Sequence, residues 1–291
     1  MEQTSRAAAR WRRWSALLLL LGAVSICAAD AKAAAEDEDE PAKVETGRWP
    51  NTYVDLNWAL SSNPSGAVLL GLQRIPFATT ASKSFIASAP LTIEATDRLT
   101  LYAGLAWVSS KSNQTPWSRI DVSDWTAGFS ADIVQYSGGW LPTISLSGSV
   151  ARPVRTPPFG GLTTWSAELD FDYPFNEEET KGVLAGVSFI QAVPELRVAT
   201  VRPTTGFYGG AYYQWENRWK LTGRAGVQFF GGASIGPLVQ LKRVAQSFTA
   251  LDLEYYDEND NRLVGVSFAL GWSPKPAALV TISTPLYIVR R

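Results

Sequence analysis

The chain is expected to be all-β, folding as an antiparallel up-and-down transmembrane β-barrel of about 12 strands. Three observations predict this. Apolar and polar residues alternate strictly through many segments, short turns and long loops take turns connecting them, and aromatic residues gather at the segment ends.

Alternation is plainest in Arg262–Trp272, where Val264, Val266, Phe268, Leu270 and Trp272 share one face. Gly265, Ser267, Ala269 and Gly271 share the other. Trp165, Ala167, Leu169, Phe171 and Tyr173 stand against Ser166, Glu168, Asp170 and Asp172. Ile144, Leu146, Gly148 and Val150 stand against Thr143, Ser145, Ser147 and Ser149. Trp219, Leu221, Ala225, Val227 and Phe229 oppose Lys220, Thr222, Arg224 and Gln228. Successive strand side chains point to opposite faces, so each segment is a strand with one oily and one wet face. Weaker alternation recurs near 52–60, 84–94, 98–109, 123–134, 183–191, 206–215, 248–256 and 278–288.

Turns such as Thr96-Asp97-Arg98, Ser137-Gly138-Gly139 and Glu216-Asn217-Arg218 alternate with loops near 110–122, 152–162, 192–205 and 231–247. Strands of about ten residues joined in this way describe an outer-membrane barrel, with the short turns in the periplasm. Residues 67–78, with Val68-Leu-Leu-Gly-Leu72, admit three readings: a longer external loop, a segment inside the lumen, or another strand.

The aromatics separate a membrane barrel from a soluble sandwich. Trp140, Tyr173, Trp215, Trp219 and Tyr255 fall near the periplasmic boundary, and Trp58, Trp107, Trp125, Trp165, Phe229 and Trp272 near the opposite one. Amphipathic rings collect at headgroup level, so Trp107, Trp125, Trp165, Trp215, Trp219 and Trp272 are expected to form the aromatic girdle. A sandwich core would hold its tryptophans mid-strand. Register is constrained too, because a one-residue slip turns Glu168, Asp170 and Asp172 toward lipid together. Even at about 1 kcal/mol each, that slip approaches the stability of a small domain.

The N-terminus sets the compartment. Arg6, Arg10, Arg12 and Arg13 precede the apolar run from Ser15 to Val24, followed by small residues. This is a secretory signal, expected over residues 1–33, with Ala31-Lys32-Ala33 favoured for cleavage over Cys27-Ala28-Ala29. The apolar run is too short to span a bilayer, which takes roughly 20 residues. Val24-Ser25-Ile26 is a poor lipoprotein match before Cys27, and the clustered arginines read as a basic n-region before they read as a twin-arginine signal. Glu36-Asp-Glu-Asp-Glu40 then repels itself, so residues 34–48 are expected to be an acidic flexible tether. Residues 49–291 form the barrel domain, and the chain is expected in the outer membrane of a Gram-negative cell.

Composition removes several classes. The single cysteine lies in the signal, so disulfide staples are excluded from the domain. There is no histidine, the net charge is −1, and no basic stripe points to nucleic acid as a partner. No apolar run approaches the length of a transmembrane helix. Neither a Gly-rich phosphate loop nor Cys/His metal spacing appears, so no cofactor and no metal are expected.

Residues 50–291, with paired amphipathic strands, aromatic-rich strands and turns such as Thr96-Asp-Arg-Leu99, resemble the small outer-membrane barrels of proteobacteria. They are loosely similar to the transporters linked to aromatic-compound pathways. The resemblance is architectural. It implies outer-membrane lipid and the barrel-assembly machinery as partners, and a small solute as cargo. Many such barrels end in a phenylalanine read by that machinery, whereas this chain ends Tyr287-Ile-Val-Arg-Arg291. Either the assembly signal is internal, or the last strand lies elsewhere. Enzymes among these barrels rely as families on a histidine, which this chain lacks. A carboxylate-only hydrolase built on Glu168 or Glu254 is conceivable, but charge lining a lumen explains them better, and a non-enzyme is expected.

The expected inner wall carries Asp55, Glu94, Asp132, Glu168, Asp170, Asp172, Asp252 and Glu254 against Lys220 and Arg224. Lys220 is expected opposite Glu254, with Arg224 diagonal to Asp252. Glu168, Asp170 and Asp172 stand about 7 Å apart along one strand, beside Ser145, Ser147, Gly186 and Ser188. They fit a cation-favouring constriction or an internal network that closes the barrel. A passive channel for small solutes is the leading expectation, and a non-conducting structural or surface-interaction barrel the alternative.

Overall fold

The computed structural model describes residues 50–64, 81–136, 139–154, 161–195, 199–235, 239–272 and 275–289. The expected signal, the tether and residues 67–78 lie outside the described residues. In chain order the strands are β1 Thr52–Asn63, β2 Ser82–Thr96, β3 Leu99–Ser112, β4 Asp121–Val134, β5 Thr143–Pro153, β6 Leu162–Pro174 and β7 Lys181–Pro194. There follow β8 Ala199–Val201, β9 Thr204–Gln214, β10 Trp219–Phe230, β11 Ala233–Ile235, β12 Val239–Leu241, β13 Val244–Tyr256, β14 Arg262–Gly271 and β15 Ala277–Val289.

Twelve of these strands close an antiparallel barrel in the order β1-β15-β14-β13-β10-β9-β7-β6-β5-β4-β3-β2. Each strand but the last pairs with its successor among the twelve, and β1 closes the ring on β15, with Leu60 facing Val280 and Tyr53 facing Tyr287. Closure leaves the barrel itself no free sheet edge, which strands in hydrocarbon need to satisfy their backbone. The last strand lies where the alternation near 278–288 put it, and Ile288 and Leu286 on it face outward.

The outside is apolar because the sequence alternates. On β10, Leu221, Val227 and Phe229 are exposed, while Lys220, Thr222 and Arg224 point in. Leu251, Val266, Phe268 and Ile282 continue that outer face over β13, β14 and β15. A water-soluble domain would bury such residues, whereas here hydrocarbon is their solvent. The short connections β2–β3, β6–β7, β9–β10 and β13–β14 lie at the same end as the start of β1 and the end of β15. Arg218 and Asp260 adopt φ of 68° and 56° in two of them, the tight left-handed geometry such turns need.

The long-loop end differs from expectation in one respect. The connections 195–203 and 231–243 are not plain loops: β8, β11 and β12 in them form a three-stranded sheet of their own. The side chain of Gln191 on β7 ties this sheet to the barrel by donating to the Val201 carbonyl at 2.9 Å.

Candidate functional site

The inner wall is organised around β6. Glu168 pairs with Ser147 and Ser188, Asp170 with Ser145 and Gly186, and Asp172 with Thr143 and Leu184. The small neighbours of Glu168 and Asp170 leave these carboxylates open to residues two strands away. Tyr208 on β9 lies across Gly186, where a Cβ would sit 2.3 Å from its ring. Its hydroxyl is shared between Glu168 Oε1, at 2.8 Å, and Asp170 Oδ1. Tyr212 lies across Gly182 in the same manner, with its hydroxyl directed to Asp172.

From the opposite side, Tyr102 on β3 lies across Gly128 toward Ser149, whose hydroxyl is 2.6 Å from that of Ser166 on β6. Tyr208 and Tyr212 therefore reach the acidic strand directly and Tyr102 reaches its neighbour β5, each crossing one strand at a glycine. Asp132 is also held, accepting from Ser145 at 2.7 Å.

The cations are arranged around this stripe. Arg224 pairs in register with Ala250 and reaches diagonally to Asp252, Nη2 to Oδ2, at 2.5 Å. Its guanidinium is 5.7 Å from the centre of the Tyr208 ring, so Tyr208 stands between it and the β6 acids. Lys220 faces Glu254 in register, but its ammonium sits 4.3 Å over the Tyr212 ring. Glu254 is instead contacted by Tyr256, at 2.9 Å, and by Arg262, at 3.6 Å.

Arg262 is the functional residue that alternation hides. Its even number would place it on the outer face with Val264 and Val266. The ladder between β13 and β14 shifts there: Tyr255 faces Val264, but Tyr256 faces Arg262, so Leu263 is an extra residue. This bulge turns Arg262 inward, where its Nη2 lies 2.7 Å from Asp55 Oδ2, closing the ring across β1, β14 and β13. A basic residue opening an otherwise apolar face was the available signal. Arg262, Tyr53, Glu94, Tyr256 and Tyr287 line a cavity of about 290 Å³ at the short-turn end. Glu94 there accepts from Asn51 at 2.7 Å.

Toward the long-loop end several inward side chains are buried. Asn63 is 6 %, Thr164 2 %, Gln246 1 % and Ala277 1 % exposed. Among the expected girdle residues, Trp125, Trp165 and Trp272 are exposed near the long-loop end, with Trp107 half-buried. Trp215 is exposed at the short-turn end, and Trp219 packs on Tyr255 with ring centres 5.0 Å apart. Among the described residues no group of three His, Cys, Asp or Glu side chains is disposed to hold a metal ion.

No protein-family model matches the chain, and no curated protein does. Solved structures do. An outer membrane channel from Pseudomonas putida F1 superposes with a TM-score of 0.57 at 13% identity, over 86% of this chain and 100% of that one. The translocator domain of the autotransporter NalP from Neisseria meningitidis gives 0.46 at 10% identity, over 90% and 97%. The TodX monoaromatic hydrocarbon channel gives 0.36 at 13% identity, over 87% and 93%. Only the first likeness is close enough to compare folds, and at that identity the fold is all it shows. With an apolar exterior, a closed ladder and a polar interior, this chain has the fold of an outer-membrane β-barrel, and the outer membrane is where it resides.

Proposed function

We propose that the barrel is a passive channel for small solutes. The observation that carries this reading is the inner wall. Twelve strands enclose more space than the eight that side chains alone fill, and that space is walled by carboxyl, guanidinium and hydroxyl groups. A barrel serving only as a scaffold has no need to bring so many charges inside, since each is costly unless held.

Cation preference is the finer part of the proposal. Arg262 offsets Asp55 and Glu254, and Arg224 offsets Asp252. Glu168, Asp170 and Asp172 are held by tyrosine hydroxyls, which supply hydrogen bonds but no positive charge. A carboxylate stripe that keeps its negative charge favours cations in a pore.

The second reading, a non-conducting barrel, is favoured by one observation: the burial of Asn63, Thr164, Gln246 and Ala277 at the long-loop end. Single-channel recording in a planar bilayer tests both. Steady ohmic steps from the purified, folded protein are expected for the channel. A folded barrel that inserts and stays silent would overturn it in favour of the second reading.

A further inference from the structure

On the outer face of the barrel, near the long-loop end, two lysines stand directly opposite one another. Lys83 on β2 pairs in register with Lys111 on β3. Both project outward. Phe85, two residues from Lys83, pairs with Leu60, which is 58 % exposed, while the flanking Ser61 and Asn63 on β1 are buried inside. Unshielded like charges directly opposite in a ladder repel. Among the described residues neither ammonium forms an ion pair with a carboxylate.

The lysines do not simply splay into water. Residues 115–120 descend beside β3, fixed by Ser118 N–H donating to the Ser110 carbonyl at 2.9 Å and Ser109 Oγ donating to the Ser118 carbonyl at 2.6 Å. This places the exposed Trp117 ring 5.5 Å from the Lys111 ammonium and fixes one arm of the pair. Below the lysines β2, β3 and the adjoining β1 present Leu60, Phe85, Trp58 and Trp107, an apolar strip running toward the bilayer centre. A doubly cationic step at headgroup level above such a strip matches an amphiphile with an anionic head and acyl tails.

We propose that Lys83 and Lys111 bind a phosphate of a phosphorylated glycolipid in the outer leaflet, with its acyl chains along the Leu60–Phe85–Trp58 strip. A phosphate oxygen set can accept from both ammonium groups at once, which turns the repulsion of the pair into attraction. The exposed Arg119 on the same hairpin offers a further positive charge beside the site. The proposal rests on outer-membrane residence and not on conduction, so a silent barrel would leave it standing.

The test uses the purified barrel in detergent, titrated with bis-phosphorylated lipid A and followed by native mass spectrometry and thermal unfolding. Wild type is expected to bind and to unfold at higher temperature. K83Q/K111Q is expected to bind about thirtyfold more weakly, since each of the two basic residues at a lipid surface contributes on the order of 1 kcal/mol. Single changes K83Q and K111Q should fall between, K83R/K111R should retain binding, and K275Q, in a different loop, should leave it unchanged. Dephosphorylated lipid A and inorganic phosphate are each expected to bind poorly. Equal affinity of wild type and K83Q/K111Q would overturn the proposal. So would equal binding of the dephosphorylated lipid, which removes the phosphate, or of inorganic phosphate, which removes the lipid.

Discussion

The hydroxyl of Tyr208 on β9 reaches Asp170 on β6 across the whole width of β7, passing over Gly186. Asp170 faces Gly186, and Gly186 faces Tyr208, so the three lie on one line of the ladder. The contact depends on the glycine as much as on the tyrosine.

Tyr208→Phe should therefore lower barrel stability by about 1.5–3 kcal/mol, the usual worth of a hydrogen bond to a charged acceptor. Gly186→Ala should produce a similar loss, because a Cβ there meets the ring at 2.3 Å and forces it aside. Reversible urea unfolding in detergent or vesicles measures both. The double change should cost less than the sum of the two, since both remove the same hydrogen bond; full additivity would contradict the arrangement.

Arg262→Met should cost about 2–3 kcal/mol. That is below the cost of breaking a fully buried pair, because over a quarter of the Arg262 side chain is exposed, 27 %. The penalty comes from leaving Asp55 and Glu254 inside without the guanidinium they share. Adding Asp55→Asn to Arg262→Met should restore part of the stability. Unfolding midpoints of the single and double variants check this, and a double variant less stable than Arg262→Met would contradict it.

Asp170→Asn should lower the cation-to-anion permeability ratio of the channel, read from the reversal potential in a salt gradient. Asp172→Asn should act in the same direction. Asp252→Asn should act less, because Arg224 already offsets that carboxylate at 2.5 Å. An unchanged reversal potential in Asp170→Asn would remove the β6 stripe from any governing role in selectivity.

Much of this was legible in the sequence because hydrocarbon outside and water or polar groups inside write a period of two into every strand. Lys220 opposite Glu254 and Arg224 diagonal to Asp252 are expected as one register that the alternation allows, and the structure has both. What alternation cannot show is a change of phase. Leu263 shifts the ladder, so Arg262 faces inward although it shares parity with Val264, and the Asp55–Arg262–Glu254 cluster was hidden with it. The tyrosine crossings were hidden for another reason. Tyr208 and Asp170 are separated by a strand, and a pattern that compares residues along one strand or between neighbours does not reach that far. The β8, β11 and β12 strands are three residues each, too short for any period to declare itself.

The alternation itself is open to a direct check. Val266 points outward and Ser267, its neighbour on β14, points in. In a chain whose one native cysteine, Cys27, is changed to serine, Val266→Cys and Ser267→Cys would each carry an environment-sensitive fluorophore in lipid vesicles. The label at 266 should be quenched by brominated acyl chains and spared by aqueous iodide, and the label at 267 should be spared by the brominated chains. Equal quenching of the two by brominated lipid would mean that hydrocarbon does not solvate every second residue, and the barrel described above would not stand in a membrane.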